Sequence, residues 1–170
     1  RGPQTITSVA IAEDAGAVLA AGTRQFGDAD GIETRRAFVR RWDLATMQEE
    51  TASDGGPFLD LDDRRESVWA AIDAPRGGVL TIGGNGASLW EPGITDEPQL
   101  VFKPHSGVTA ASFSHDGALI VTGSTDRRAK IWNARTGKTV LQLPHEHRRP
   151  ITNAIFSPRD KQLLVTASLD

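Results

Sequence analysis

The amino-acid sequence predicts an all-β fold assembled from repeated four-stranded antiparallel units. Three observations carry that prediction: one apolar pattern occurs four times, each copy is followed by turn residues and a second apolar run, and three copies end a third run on Trp. A missed period would misassign every local element, so the repeat is read before anything else. The chain has 170 residues, with 19 Lys and Arg against 22 Asp and Glu, for a formal net charge of -3. That size suits one ordinary domain, and the charge favours no nucleic-acid partner. The longest apolar runs are strand-sized, short of the roughly 18 residues that a membrane helix needs, so no membrane partner is expected. With no Cys, disulfide frameworks, thiol catalysis and thiolate metal sites are excluded, while the redox compartment stays open. Arg outnumbers Lys 15 to 4 and Ala is abundant, a bias associated with bacterial coding.

The first strands are Ile6-x-x-Val9-x-Ile11, Val68-x-x-Ala71-x-Asp73, Val108-x-x-Ala111-x-Phe113 and Ile151-x-x-Ala154-x-Phe156, so repeats begin near residues 6, 68, 108 and 151. Turn chemistry follows each, as in His115-Asp116-Gly117, where Gly and Asp punctuate the chain for separate backbone reasons. The second strands are Val18 to Thr23, Val79 to Gly84, Leu119 to Ser124 and Leu163 to Ser168. Their nearly continuous apolarity is what strands covered on both faces require.

Third strands run from Phe38 to Trp42, Ala87 to Trp90 and Ala129 to Trp132. Period-two alternation sets Ala129 and Ile131 on one face and Lys130 with Trp132 on the other. More polar fourth strands follow at about Met47 to Thr51, Pro98 to Lys103 and Lys138 to Leu143, suiting edges that meet solvent. Between the second and third strands, the first repeat has a long link from Arg24 to Ala37, which reads as an inserted loop containing Gly27-Asp28-Ala29-Asp30-Gly31. The second repeat has Asn85-Gly86, which suits a type I′ hairpin. Four-stranded units recurring about every 40 residues are the signature of a β-propeller, whose blades bury both faces only by stacking on neighbours. Residues 1–170 thus read as about four blades of a larger ring.

The stretch from His105 to Trp132, with Phe113-Ser114-His115-Asp116-Gly117, Thr122-Gly123-Ser124-Thr125-Asp126 and Lys130-Ile131-Trp132, resembles the tryptophan-aspartate (WD) repeat. The resemblance is strongest from His105 onward and worn in the first two repeats. It implies a structural polar set of His105, Ser124 or Thr122, Asp126 and Trp132, although Asn133 follows Trp132 where the family has Asp. The first two blades depart from the pattern and are expected to lack that network. In the fourth repeat His147 matches the family His, and a turn one residue longer places the family Asp at Asp170, the last residue. The fourth repeat is therefore expected to be truncated, without its third and fourth strands.

His105, Ser124 and Asp126 superficially look like an acyl-transfer triad, but no nucleophile elbow accompanies them, and a buried Asp needs paired donors for structural reasons alone. His145-Glu146-His147 lacks a second His at helical spacing, since Arg149 holds that position, so no metal is expected. Asp60-Leu61-Asp62-Asp63 begins like a calcium loop, yet Arg64 follows where an oxygen ligand is needed, and it reads as a solvated loop. Gly83-Gly84-Asn85-Gly86 joins two strands instead of opening a helix, so it is a turn, not a phosphate cradle. No cofactor and no catalytic residue is expected.

The resemblance implies that loops entering the first strand and loops between second and third strands emerge together. Lys103, Arg127, Arg128, Arg148 and Arg149 then share one end of the third and fourth repeats, against Asp126 and Glu146. The expected function is a non-catalytic scaffold for protein partners, with an acidic or phosphorylated segment as the ligand of Arg127, Arg128, Arg148 and Arg149. The alternative is a regulatory propeller belonging to an enzyme such as a Ser/Thr protein kinase, whose catalytic domain lies outside these residues.

Overall fold

The computed structural model describes residues 4–12, 16–27, 33–51, 59–61, 68–74, 78–83, 86–91, 98–103, 107–144, 147–157, 159–160 and 163–170. The first sheet orders β1 (Gln4–Ala12), β2 (Ala17–Gly27), β3 (Glu33–Asp43) and β4 (Glu49–Glu50), with β5 (Leu59–Leu61) also on β3. The second orders β6 (Val68–Ala74), β7 (Gly78–Gly83), β8 (Gly86–Trp90) and β9 (Leu100–Phe102). The third orders β10 (Val108–Phe113), β11 (Leu119–Ser124), β12 (Ala129–Asn133) and β13 (Thr139–Gln142). The fourth pairs β14 (Ile151–Phe156) with β15 (Leu164–Ser168). Four meandering antiparallel sheets therefore follow the four sequence repeats.

Two loop expectations fail. Residues 24–27 and 33–37 of the expected loop are strand: β2 and β3 pair with register running from Ala17 opposite Asp43 to Gly27 opposite Glu33. Residues 28–32 lie outside the described residues. The run of charge disguised a strand, because arginines lay their aliphatic stems along a sheet as readily as they enter solvent. The solvated loop expected at Asp60 and Leu61 is instead β5, which pairs Leu59 with Val39 and Leu61 with Ala37. Its two leucines sit one period apart and bury together in the core. Asp62, Asp63 and Arg64 lie outside the described residues.

The chain forms two compact units, residues 1–81 with 90–98 and residues 82–89 with 99–170. In the first, the face of β2 and β3 carrying Leu19, Ala21 and Val39 joins Leu59, Leu61, Val79 and Trp90 in one apolar cluster. The opposite face leaves Ile6, Val9 and Ile11 exposed on β1. In the second unit, Ala110, Val121 and Ala129 of the third sheet cluster with Ile151, Ala154 and Phe156 of β14. Bonds between a side-chain hydroxyl and the main chain join the same sheets: the Phe156 N–H donates to Ser112 Oγ at 3.2 Å, and the Thr109 hydroxyl donates to the Ile151 carbonyl. β7 is buried at every residue and β11 at all but its first, as two-sided coverage demands. The expectation of the same coverage for β15 is not met, because its residues alternate between half-buried and exposed.

Candidate functional site

The polar groups of the third repeat are set by β11, β12 and the turn between them. Thr122 and Trp132 lie on one face, offset by one cross-strand pair, so the Trp132 indole N–H reaches Thr122 Oγ1 at 2.9 Å. Both residues are buried, which makes a satisfied indole N–H necessary. Phe102 meets the Trp132 ring edge-on at a centroid distance of 5.8 Å, and Lys130 Nζ lies 5.4 Å from the same ring. The partner of Trp132 is thus Thr122. Ser124, also buried, serves the turn, where its Oγ accepts the Asp126 N–H at 3.1 Å. Asp126 is half-buried and its Oδ1 accepts the Arg128 N–H at 2.9 Å. His105 lies outside the described residues.

The expectation that the second repeat lacks this network is overturned in one half. The Trp90 indole donates to Thr81 Oγ1 at 2.7 Å, and both residues are buried. In the first repeat the position equivalent to Thr122 is Ala20, which offers no acceptor, and Trp42 is only half-buried.

The fourth repeat assembles a related set around His147. Its Nε2 lies 2.9 Å from Thr166 Oγ1 and its Nδ1 lies 3.2 Å from Asp170 Oδ1. A carboxylate at Nδ1 holds the proton there, so Nε2 of the neutral ring accepts the Thr166 hydroxyl. Asp170 Oδ2 also accepts the Arg148 N–H at 2.7 Å. The Arg148 N–H, the Ser168 hydroxyl and then His147 hold the Asp170 carboxyl well below the usual carboxylate range. The order of hydroxyl, imidazole and carboxylate is that of an acyl-transfer triad, yet Thr166 sits within β15, paired to Ala154, rather than on an elbow. Sequence reasoning singled out Asp170 and missed Thr166. The signal was present, because Thr122 precedes Asp126 by four residues and Thr166 precedes Asp170 by four.

The four arginines lie on two neighbouring turns. Arg127 and Arg128 close the turn between β11 and β12; the Arg127 N–H donates to the Ser124 carbonyl at 3.1 Å, and Arg127 has a φ of 71°. Arg148 and Arg149 lead into β14, where the Ser168 hydroxyl donates to the Arg149 carbonyl at 3.1 Å. The turns share one end of their sheets, because Val108 pairs with Ser124, Ile151 pairs with Ser168, and Thr109 ties β10 to Ile151. Arg127, Arg148 and Arg149 are exposed, and among the described residues no ion pair engages their guanidinium groups. Lys103 is exposed too, while His145 and Glu146 lie outside the described residues. Among the described residues no group of His, Asp and Glu is placed to hold a metal ion.

Four-stranded repeats whose third strand ends in a Trp bonded to a second-strand Thr define a class of β-propeller, and comparison with known proteins supplies its name. Residues 96–133 match the family described as WD domain, G-beta repeat. That match begins before β9 and ends with β12, so the sequence repeat straddles the second and third sheets. WD repeat-containing protein 82 of Drosophila melanogaster is 33% identical over 114 residues, 62% of this chain and 36% of that protein. The transcriptional corepressor LEUNIG_HOMOLOG of Arabidopsis thaliana is 27% identical over 160 residues, 94% of this chain and 17% of that protein. The chain thus spans about a third or less of these relatives. The crystal structure of the mitotic checkpoint complex contains a chain that shares the fold, with a TM-score of 0.69 at 16% identity over 96% of this chain and 44% of that one. Residues 96–133 thus carry a WD repeat, and the chain is similar to WD repeat-containing protein 82 over 114 residues. These relatives are eukaryotic and lend no support to the bacterial origin suggested by the arginine bias.

Proposed function

We propose that the chain is a non-catalytic interaction platform within a larger multidomain protein, and that Arg127, Arg128, Arg148 and Arg149 take an acidic or phosphorylated segment of a protein partner. The observation behind this reading is the guanidinium groups of Arg127, Arg148 and Arg149, exposed at one end of adjacent sheets without an ion pair among the described residues. Guanidinium presents a planar fork that matches carboxylate and phosphate oxygens in pairs. The side chains that stack the sheets are committed to packing, which leaves loops at the sheet ends for recognition. Similarity to a WD repeat-containing protein and to a protein named as a transcriptional corepressor supports a platform over a catalyst. The test is binding of a glutamate-rich synthetic peptide carrying phosphoserine to the native chain and to a variant with Glu at all four positions. The reading expects the native chain to bind, the variant to lose binding, and affinity to fall as salt rises from about 50 to 200 mM. Equal binding by both proteins with a flat salt response would overturn it.

A further inference from the structure

Two carboxylates of the described residues stand at the arginine edge, those of Asp126 and Asp170. Each spends an oxygen on the main chain of an arginine. Asp126 Oδ1 accepts the Arg128 N–H at 2.9 Å, and Asp170 Oδ2 accepts the Arg148 N–H at 2.7 Å. The second oxygen of Asp170 is committed to His147, whose other nitrogen is held by Thr166 of β15, so the clip is anchored in the sheet. Ser168 fastens the next residue from the same strand by donating to the Arg149 carbonyl. On the other turn Ser124 fixes Asp126 through its N–H, and the closure places Arg127 in the left-handed region. That conformation is costly for a residue with a Cβ and projects the Arg127 side chain away from a regular strand path.

We infer that Asp170 and Asp126 are positioning residues for the arginine edge: each clips the backbone of its turn so that the guanidinium groups are held ready for an external anion. This inference rests on the platform reading and names what organises its binding surface. A loop fixed before binding loses less conformational entropy on capture, which is worth about five- to tenfold in affinity for one or two immobilised side chains. The competing description, in which the carboxylates act only through their charge, makes the opposite prediction. Removing a negative charge beside an anion site strengthens anion binding by simple electrostatics, whereas removing a clip weakens it.

The experiment uses the full chain and the phosphoserine peptide, with affinity read by fluorescence anisotropy. Asp170→Ala is expected to weaken binding about fivefold despite the loss of a negative charge, and Asp170→Asn, which keeps an acceptor for the Arg148 N–H, to recover most of it. Ser157→Ala removes an acceptor for the Arg159 and Asp160 N–H groups at the opposite end of the β14–β15 pair, and is expected to leave affinity unchanged. A readout without ligand accompanies these: hydrogen exchange at the Arg148 N–H should accelerate in Asp170→Ala while the β14 amides keep their protection. Tighter or unchanged binding in Asp170→Ala, an equal loss in Ser157→Ala, or unaltered exchange at Arg148 would overturn the positioning role. If the double variant Arg148→Ala, Arg149→Ala binds as the native chain does, the platform reading falls. If that variant loses binding and Asp170→Ala does not, the positioning role alone falls.

Discussion

Asp43 and Asn133 occupy one turn in two different sheets, and their shared geometry explains why the Trp-Asp pair of the family survives as Trp-Asn in the third repeat. Asp43 Oδ1 accepts from the Thr46 N–H at 2.7 Å and the Thr46 hydroxyl at 2.9 Å. Asn133 Oδ1 accepts from the same two groups of Thr136, at 2.9 and 3.0 Å. The turn asks for an acceptor oxygen, not for a charge. Its fifth residue takes a left-handed conformation: Gly137 has a φ of 68° and Met47 a φ of 57°. Met47 is 77% exposed, so its side chain repays little of that strain by packing. Met47→Gly should therefore stabilise the protein by about 0.5–1 kcal/mol, the left-handed penalty less the extra chain entropy of glycine. Urea titration measures it, and a lower midpoint at unchanged slope would refute the strain argument.

At the scale of the strand, the feature that sequence reading passed over is a β-bulge at the start of three first strands. The register slips between Ile6 and Ser8, between Val108 and Ala110, and between Ile151 and Asn153. The extra residue is Thr7, Thr109 or Thr152, and each hydroxyl donates across the pair, to the carbonyls of Ala21, Gly123 and Ala167. The clue was legible, because Ile151, Ala154 and Phe156 are spaced three and then two apart, and all three are buried. A regular strand keeps one face at even spacing, so an odd step implies one inserted residue. The Thr109 hydroxyl shares its proton with the Ile151 carbonyl, which makes the bulge a clasp between the third and fourth sheets. Gly123 lies in the same contact, where an added Cβ would sit 2.5 Å from Ile151 Cγ2. Gly123→Ala should cost about 1–3 kcal/mol through overpacking. Thr109→Val should cost about 1 kcal/mol through lost hydrogen bonding. Denaturant melts decide between this account and one in which the sheets slide freely, for which both changes would be silent.

For the molecule as a whole, acid offers a measurement that reads both compact units at once. Asp43 lies in the first and Asp170 in the second, and hydrogen bonds lower the pKa of each: Thr46 N–H and hydroxyl at Asp43, Arg148 N–H foremost at Asp170. A carboxyl whose folded pKa is depressed contributes stability above its unfolded value, about 3.9, and loses it as pH falls through the folded one. Thermal midpoints should therefore hold steady from pH 7 to about 5 and decline below about 4, and Asp43→Asn with Asp170→Asn should flatten the decline. A midpoint that rises on acidification would contradict the assignment.

The four repeats, their strand pairs and the tryptophans that close third strands were all written in the sequence, because period-two apolar runs and turn residues act locally. The position of Asp170 could likewise be counted from Asp126. What only the tertiary structure decided was the fate of charged segments and the choice among hydroxyls. Residues 24–27 and 33–37 became strand because each run lay opposite the other, and Leu59–Leu61 became strand because β3 offered a free edge above an apolar cluster. Thr122, not Ser124, received the Trp132 indole because cross-strand register, not proximity in sequence, sets which side chains meet on a face.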